Sequence, residues 1–355
     1  MAGSRISPDF WRKRRVLLTG HTGFKGAWTA LWLAQMGARV HGLSLAPDTD
    51  PNAFDILAVG SDISSQIGDI RGTDVVRRVV AEARPEIVIH MAAQALVRRS
   101  YREPVETFAS NVMGTVILLD ALRAVDGLQA VLVVTSDKVY ENSEDGRAFR
   151  ETDPLGGTDP YSASKAAAEI VTASMARSFF DDRRIPVATA RAGNVIGGGD
   201  FSEDRLVPDL WRAATSGRPV ALRYPGATRP WQHVLDPVGG YLLYAEKLAG
   251  GRCAQLALNF GPATAEALPV STIAERVMGE LGMAEGWVQA DGEFQKEKQA
   301  LSLDASLAGQ AIGWVPRLGI EETVRWTADW YRAYNAGADM RAFTLTQVEA
   351  YEGSR

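Results

Sequence analysis

Seven residues near the N-terminus restrict the fold more than any others: Gly20-His21-Thr22-Gly23-Phe24-Lys25-Gly26. They follow a continuously apolar run, Val16-Leu17-Leu18, and open a helical pattern over 24–36. Glycines three apart allow a tight strand-to-helix turn. They also let backbone N–H groups approach an anion at the positive end of a helix. Alone, such a triplet is only a tight turn. Placed after a first strand and before a helix, it reads as a dinucleotide-binding loop.

The rest of the first half supports that frame. Strands are expected at 15–19, 39–44, 66–68, 86–91, 130–136 and 186–191, with helices at 24–36, 73–83, 105–125 and 162–180. The first and fifth strands are apolar at consecutive positions, as strands buried on both faces of a parallel sheet read. The fold class is α/β: a doubly wound parallel sheet (Rossmann) over 1–191, with a smaller, mixed, substrate-binding region over 192–355. Gly197-Gly198-Gly199 opens the change of texture, and Gly and Pro recur to Pro237. Helices are expected again at 270–281 and 320–335, and some later segments are expected to return to the first region. Trp326 and Trp330, four apart, read as core.

Bulk properties exclude several function classes. A net charge of -5 gives no general attraction to nucleic acid or anionic membrane, so an anionic ligand needs local arginines or backbone amides. One cysteine, Cys253, excludes an internal disulfide framework and suits a reducing compartment. His21, His41, His90 and His233 lack metal-ligand spacing. No apolar run approaches the ~18 residues of a membrane span, and the N-terminus does not read as a signal peptide. A cytoplasmic protein without a metal is expected.

The chemistry centres on Tyr161-Ser162-Ala163-Ser164-Lys165, which begins a helix after Gly156-Gly157-Thr158-Asp159-Pro160. Spacing of four puts Tyr161 and Lys165 on one helix face. A phenol with a pKa near ~10 is a poor base at neutral pH, and a neighbouring ammonium lowers that value. Such a pair can accept an alcohol proton while hydride leaves for a nicotinamide. By itself the spacing also describes an ordinary exposed helix pair. The strand end Thr135-Ser136-Asp137-Lys138 supplies the rest, because ligands of open parallel sheets bind beyond the strands' carboxyl ends. Ser136 can hold the reacting hydroxyl, with Asp137 and Lys138 as an acid–base pair in the same cleft or as a solvated turn. The second strand ends in Ser44-Leu45-Ala46-Pro47-Asp48, with neither a well-placed carboxylate for a ribose nor an arginine for a 2′-phosphate. NAD and NADP are both open on these residues. Asp69 either contacts adenine or is a solvated turn aspartate.

With these residues assembled, the chain resembles the extended short-chain dehydrogenase/reductases and, within them, the nucleotide-sugar 4,6-dehydratases that act on CDP-glucose. The resemblance runs through the Gly20–Gly26 loop, His90-Met91-Ala92-Ala93-Gln94, Thr135-Ser136-Asp137-Lys138, Tyr161 with Lys165, and Arg191-Ala192-Gly193-Asn194. It continues through Glu203-Asp204-Arg205-Leu206 and Arg229-Pro230-Trp231-Gln232-His233. It implies a tightly held NAD contacted by Gly20, Thr22, Gly23, Phe24, Lys25, Gly26, Asp69, Ile70, Ala92, Ala93, Gln94, Thr135, Tyr161 and Lys165. It implies substrate contacts from Gln94, Ser136, Asn194, Arg205 and Arg229. The implied catalytic set is Ser136, Asp137, Lys138, Tyr161 and Lys165. Tyr161 would deprotonate the 4-hydroxyl as hydride leaves carbon 4. Lys138, where relatives acting on dTDP-glucose carry Glu, would remove the carbon 5 proton, and Asp137 would protonate the departing 6-hydroxyl. The product is CDP-4-keto-6-deoxyglucose. Asn111 matches a position that supports the active-site geometry. The helix at 105–125 either pairs two copies across a two-fold, as in family dimers, or covers the monomer's own sheet. One departure is Lys296-Glu297-Lys298, where the family carries His-Glu-Ala. The alternatives are an epimerase or dehydratase acting on a UDP-, GDP- or dTDP-linked sugar, and a catalytically silent NAD-binding regulator.

Overall fold

The computed structural model describes residues 4–354 other than 143, 145, 263–267, 285, 293 and 295–299, so the departure at 296–298 lies outside the described residues. Seven parallel strands form the central sheet: β1 Arg15–Thr19, β2 Arg39–Ser44, β3 Ser64–Ile67, β4 Ile87–His90, β5 Ala130–Val134, β6 Val187–Ala192 and β7 Ala257–Phe260. Their spatial order is β7-β6-β5-β4-β1-β2-β3. The chain leaves β1 towards β2 on one side and returns to β4 on the other, with Val16 opposite Val40 and Ile87. Successive crossovers therefore diverge beyond Thr19, which creates a crevice at the carboxyl ends of β1 and β4.

Apolar strand residues face two cores alternately. Val16 and Leu18 of β1 join one, and Leu17 joins the other; Ile87 and Ile89 of β4 join the first, and Val88 the second. Helix α1, Phe24–Gln35, packs its tryptophans Trp28 and Trp32 into the first core. Helices α2, Thr73–Ala83, α3, Pro104–Leu122, and α4, Pro160–Phe179, cover the second face, where Val76, Leu118 and Ala176 are buried. Helix α3 is apolar and long enough to cross a bilayer by composition alone, and here it packs on α2 and α4. At Ala109–Met113 it holds one π-helical turn, a feature that often marks functional sites.

After β6 the chain makes short excursions: Val195–Ile196 pairs with Gln232–His233, Thr228–Arg229 with Leu268–Pro269, and Val220–Leu222 with Trp287–Gln289. Helices α5, Leu206–Ser216, α7, Val270–Leu281, and α8, Ile320–Asn335, pack together beside them. Between these excursions the chain returns to the sheet: α6, Leu235–Ala249, packs on α1 and β5, and β7 extends the sheet beside β6. Trp330 is fully buried and donates to Thr344, and Trp326 meets the His233 ring, so both belong to the core.

Candidate active site

The strand ends build one cleft of about 540 Å³, and every site residue named from the sequence lines it. Beyond β1 lies the glycine loop. Gly20 has φ +77°, and a Cβ there would sit 2.7 Å from the Ala92 nitrogen; a Cβ on Gly26 would meet the Gly20 oxygen at 1.9 Å. Those two glycines close the turn. Gly23 is different: a Cβ there would make only an ordinary contact, 3.5 Å from the Gly20 oxygen, on the open side. Its bareness leaves room for a ligand over the first turn of α1, whose N–H groups lack helical partners. The loop therefore fits a dinucleotide pyrophosphate. Thr22 ties it to the end of β2 through Ser44 Oγ, at 2.7 Å, and the Leu45 carbonyl.

Four expected ligand contacts prove to be occupied within the protein. Both Asp69 oxygens accept from Arg71, and the pairing holds the carboxyl below its ordinary range. Thr135 Oγ1 donates to Glu169 at 2.5 Å, so only its backbone is left for a ligand. The Gln94 amide donates to Thr107 and accepts from the Leu96 N–H, which shapes the loop beyond β4. Arg205 reaches the Ala95 carbonyl at 3.2 Å from the cleft's other wall. Asp48, weighed as a ribose partner, pairs with Arg99 at 2.9 Å. Asn194 and Arg229 line the far end of the cleft, with Arg229 buried and donating to the Thr228 carbonyl.

Tyr161 and Lys165 project from the first turns of α4. Pro160 at its start and the Asp159 side chain, which accepts from Ser162 N, fix where that helix begins. Asn111, in the π turn of α3, donates to Ser164 Oγ at 2.8 Å and to the Gln94 carbonyl, and accepts from Gln94 N. It clamps the β4 loop to the catalytic helix. Tyr161 is hydrogen-bonded to Ser136, and Ser136 Oγ donates to Asp137 Oδ1 at 3.0 Å. Asp137 Oδ2 is buried with no partner.

Electrostatics here differ from the expectation in one respect. Burial pushes the Tyr161 phenol up, with Ser136 and Arg205 pulling it down, while Lys165 donates to the Val134 carbonyl at 3.2 Å. Burial brings Lys165 down to about 8, opposed by Glu169. Asp137 is raised by burial against the pull of Lys138, Ser136, Arg229 and Lys25, a direction that suits a proton donor.

Sequence reasoning missed three residues. Glu169, one further turn along the Tyr161–Lys165 face, is buried and accepts from Thr135, Thr189 and both ends of the Arg191 guanidinium. The i, i+4, i+8 spacing was the available signal. Tyr241 of α6 is fully buried, its hydroxyl unpartnered and in electrostatic reach of Tyr161 and Asp137; no local pattern marks it. The Lys25 side chain, beyond its backbone role, stands 5.8 Å over the Tyr241 ring and within reach of Asp137.

Comparison with known proteins matches this arrangement. A family model described as the NAD dependent epimerase/dehydratase family matches residues 16–261. A CDP-glucose 4,6-dehydratase of Salmonella typhimurium is 42% identical over 353 residues, 98% of each chain. A dTDP-glucose 4,6-dehydratase of Xanthomonas campestris pv. campestris is 28% identical over 89% of this chain and 92% of its own. Among solved structures, the UDP-glucose 4-epimerase of Thermus thermophilus, in complex with NAD, aligns with a TM-score of 0.78 at 27% identity, covering 90% of this chain and 99% of its own.

Proposed function

The chain belongs to the NAD dependent epimerase/dehydratase family, and on that premise we propose that it converts CDP-glucose to CDP-4-keto-6-deoxyglucose by dehydration with internal redox cycling of NAD. The observation that carries the reading is a single cleft holding two proton-handling sets. Tyr161 with Ser136 serves oxidation at carbon 4, and Asp137 with Lys138 serves elimination across carbons 5 and 6. An epimerase needs the first set and has no use for the second.

The Gly20–Gly26 loop, Ile70 and Ala92-Ala93 would hold NAD, which when bound accepts the hydride and later gives it back. Tyr161, as the phenolate, takes the 4-hydroxyl proton, and the ketone then acidifies carbon 5. Lys138 removes that proton, Asp137 protonates the 6-hydroxyl as it leaves as water, and Lys138 returns its proton to carbon 5 after hydride reaches carbon 6. Arg229, Arg205 and Asn194 orient the nucleotide end; a guanidinium matches phosphate oxygens with paired donors. Exposed Val105, Phe108 and Met113 on α3 and Ile170 on α4 support a homodimer through these helices, and the unpaired Cys253 suits a cytoplasmic setting.

The test is direct. Purified protein is offered CDP-, dTDP-, UDP- and GDP-glucose, and products are weighed by mass spectrometry. CDP-glucose should lose one water fastest. An isomer of unchanged mass, or preference for another nucleotide, would replace this reading. Tyr161→Phe should keep NAD binding and lose turnover by about 10²-fold or more, the scale of a general base.

A further inference from the structure

Dehydration by these steps, on which the following rests, leaves one proton misplaced at the end of every turnover. Tyr161 has gained the 4-hydroxyl proton and cannot return it, because the product keeps a ketone at carbon 4. Asp137 has given a proton to the departing water. The carbon 5 proton leaves and comes back, so it cancels. The site therefore finishes with a phenol and a carboxylate, whereas the next substrate requires a phenolate and a carboxylic acid.

The residues with the surplus and the deficit are joined by one hydroxyl and shielded from water: Tyr161, Ser136 and Asp137 are 8%, 6% and 2% exposed. A serine hydroxyl has one hydrogen. Ser136 commits it to Asp137 Oδ1, so the phenol is the donor in its own bond to Ser136 Oγ. The Lys138 N–H, at 3.2 Å, also donates to that oxygen and helps hold it between the two. The bonds thus run from the group with the extra proton to the group that lacks one. Asp137 has its two oxygens differently disposed: Oδ1 faces Ser136, and Oδ2 has no partner in the protein and is left for the leaving hydroxyl.

We propose that Ser136 is the proton return that resets the site between turnovers. Tyr161 passes its proton to Ser136 Oγ while Ser136 passes its own to Asp137 Oδ1. Two O–H bonds break, two form, and no proton is exchanged with solvent. The single negative charge moves from the carboxylate to the phenolate, where Arg205 favours it. This role differs from assisting oxidation, since it operates after the product has formed.

Rapid-quench measurements on NAD-loaded wild type, Ser136→Ala and Ser136→Thr with excess CDP-glucose separate the two roles. A hydroxyl needed only for oxidation slows the first and later turnovers equally. As a proton return, its loss spares the first turnover relative to the rest: the ratio of first-turnover to steady-state rate should rise by at least about tenfold in Ser136→Ala, a modest share of the usual effect of a proton-transfer group. Ser136→Thr, which keeps the hydroxyl, should give the wild-type ratio. An unchanged ratio in Ser136→Ala would overturn the proposal, and Ser136→Gly serves if the alanine variant fails to fold. If wild type does not dehydrate CDP-glucose, the dehydration reading itself falls; if it does and the ratio stays put, only the proton return falls.

Discussion

A glycine loop needs only backbone at Lys25, yet the side chain there enters the cleft. Its amine, brought down to about 7 by burial and by Lys165 and Arg205, lies close enough to Asp137 to pull that carboxyl down in turn. Lys25 is therefore a positioning residue acting through Asp137. Lys25→Met should lift the Asp137 carboxyl further, so that the acid stays protonated to higher pH. The alkaline limb of the kcat profile is then expected to move up, whereas Lys25→Arg, which keeps a cation, should leave it near the wild-type position. A pH–rate series on the three proteins decides this; a downward shift in Lys25→Met would contradict it. At this scale, residue identities such as Tyr161, Ser136 and Asp137 were readable because chemistry limits which side chains can serve. Side-chain direction was not readable. Thr135 and Gln94 carry suitable groups, but those groups turn towards Glu169 and Thr107.

Helix α4 carries its chemistry on one stripe, with Tyr161 and Lys165 at the cleft and Glu169 beneath them. Glu169 binds Arg191 of β6 with both partners about 95% buried, and it also satisfies Thr135 at the end of β5. It fastens the catalytic helix to the two strands whose ends complete the site. Glu169→Ala leaves a guanidinium and two hydroxyls buried without their acceptor, and should cost roughly 3–5 kcal/mol of stability. Denaturant unfolding of the variant checks it, and a loss below about 1 kcal/mol would show that water takes over the carboxylate's place. Elements with a one-sided or uniformly apolar pattern were legible: β1, β2 and α2 begin and end where the sequence places them, as do α7 and α8. Others had no such pattern. Strand β3 was expected at 66–68 and spans Ser64–Ile67, because this edge strand starts with Ser64-Ser65-Gln66 and shows no apolar run. Helix α6 is buried nearly all round, which erases the amphipathic period. The π turn in α3 changes the helical phase by too little to see in sequence, yet it presents Asn111 to the β4 loop.

On the scale of the whole molecule, the sheet was legible because parallel strands covered on both faces need long apolar runs, while β7 and the two-residue strands of the excursions are held by distant partners that no local window contains. Those long-range burials also decide the response to pH. His21, His90 and His233 are fully or almost fully buried, and burial drives their imidazoles down to about 4, 3 and 3. The native protein keeps them neutral: His90 between Thr19 and Thr115, His21 against Ser65, and His233 between the Trp28 and Trp326 rings. In the unfolded chain each titrates near ~6.5. Below that value the unfolded state binds protons that the native state refuses, so stability is lost as pH falls from about 6.5 towards 4, by up to ~1.4 kcal/mol per pH unit for each histidine. Asp236 has the opposite sign. Burial raises its carboxyl to about 6, so the native state binds its proton first and gains stability as pH falls through that value, which offsets about one of the three histidines. The melting temperature should accordingly fall between pH 7 and pH 5. His90→Gln, which keeps a group able to bond both threonines, should remove about half of the net slope. A melting temperature that is flat over this range, or a slope untouched in His90→Gln, would mean that these imidazoles are charged in the folded protein.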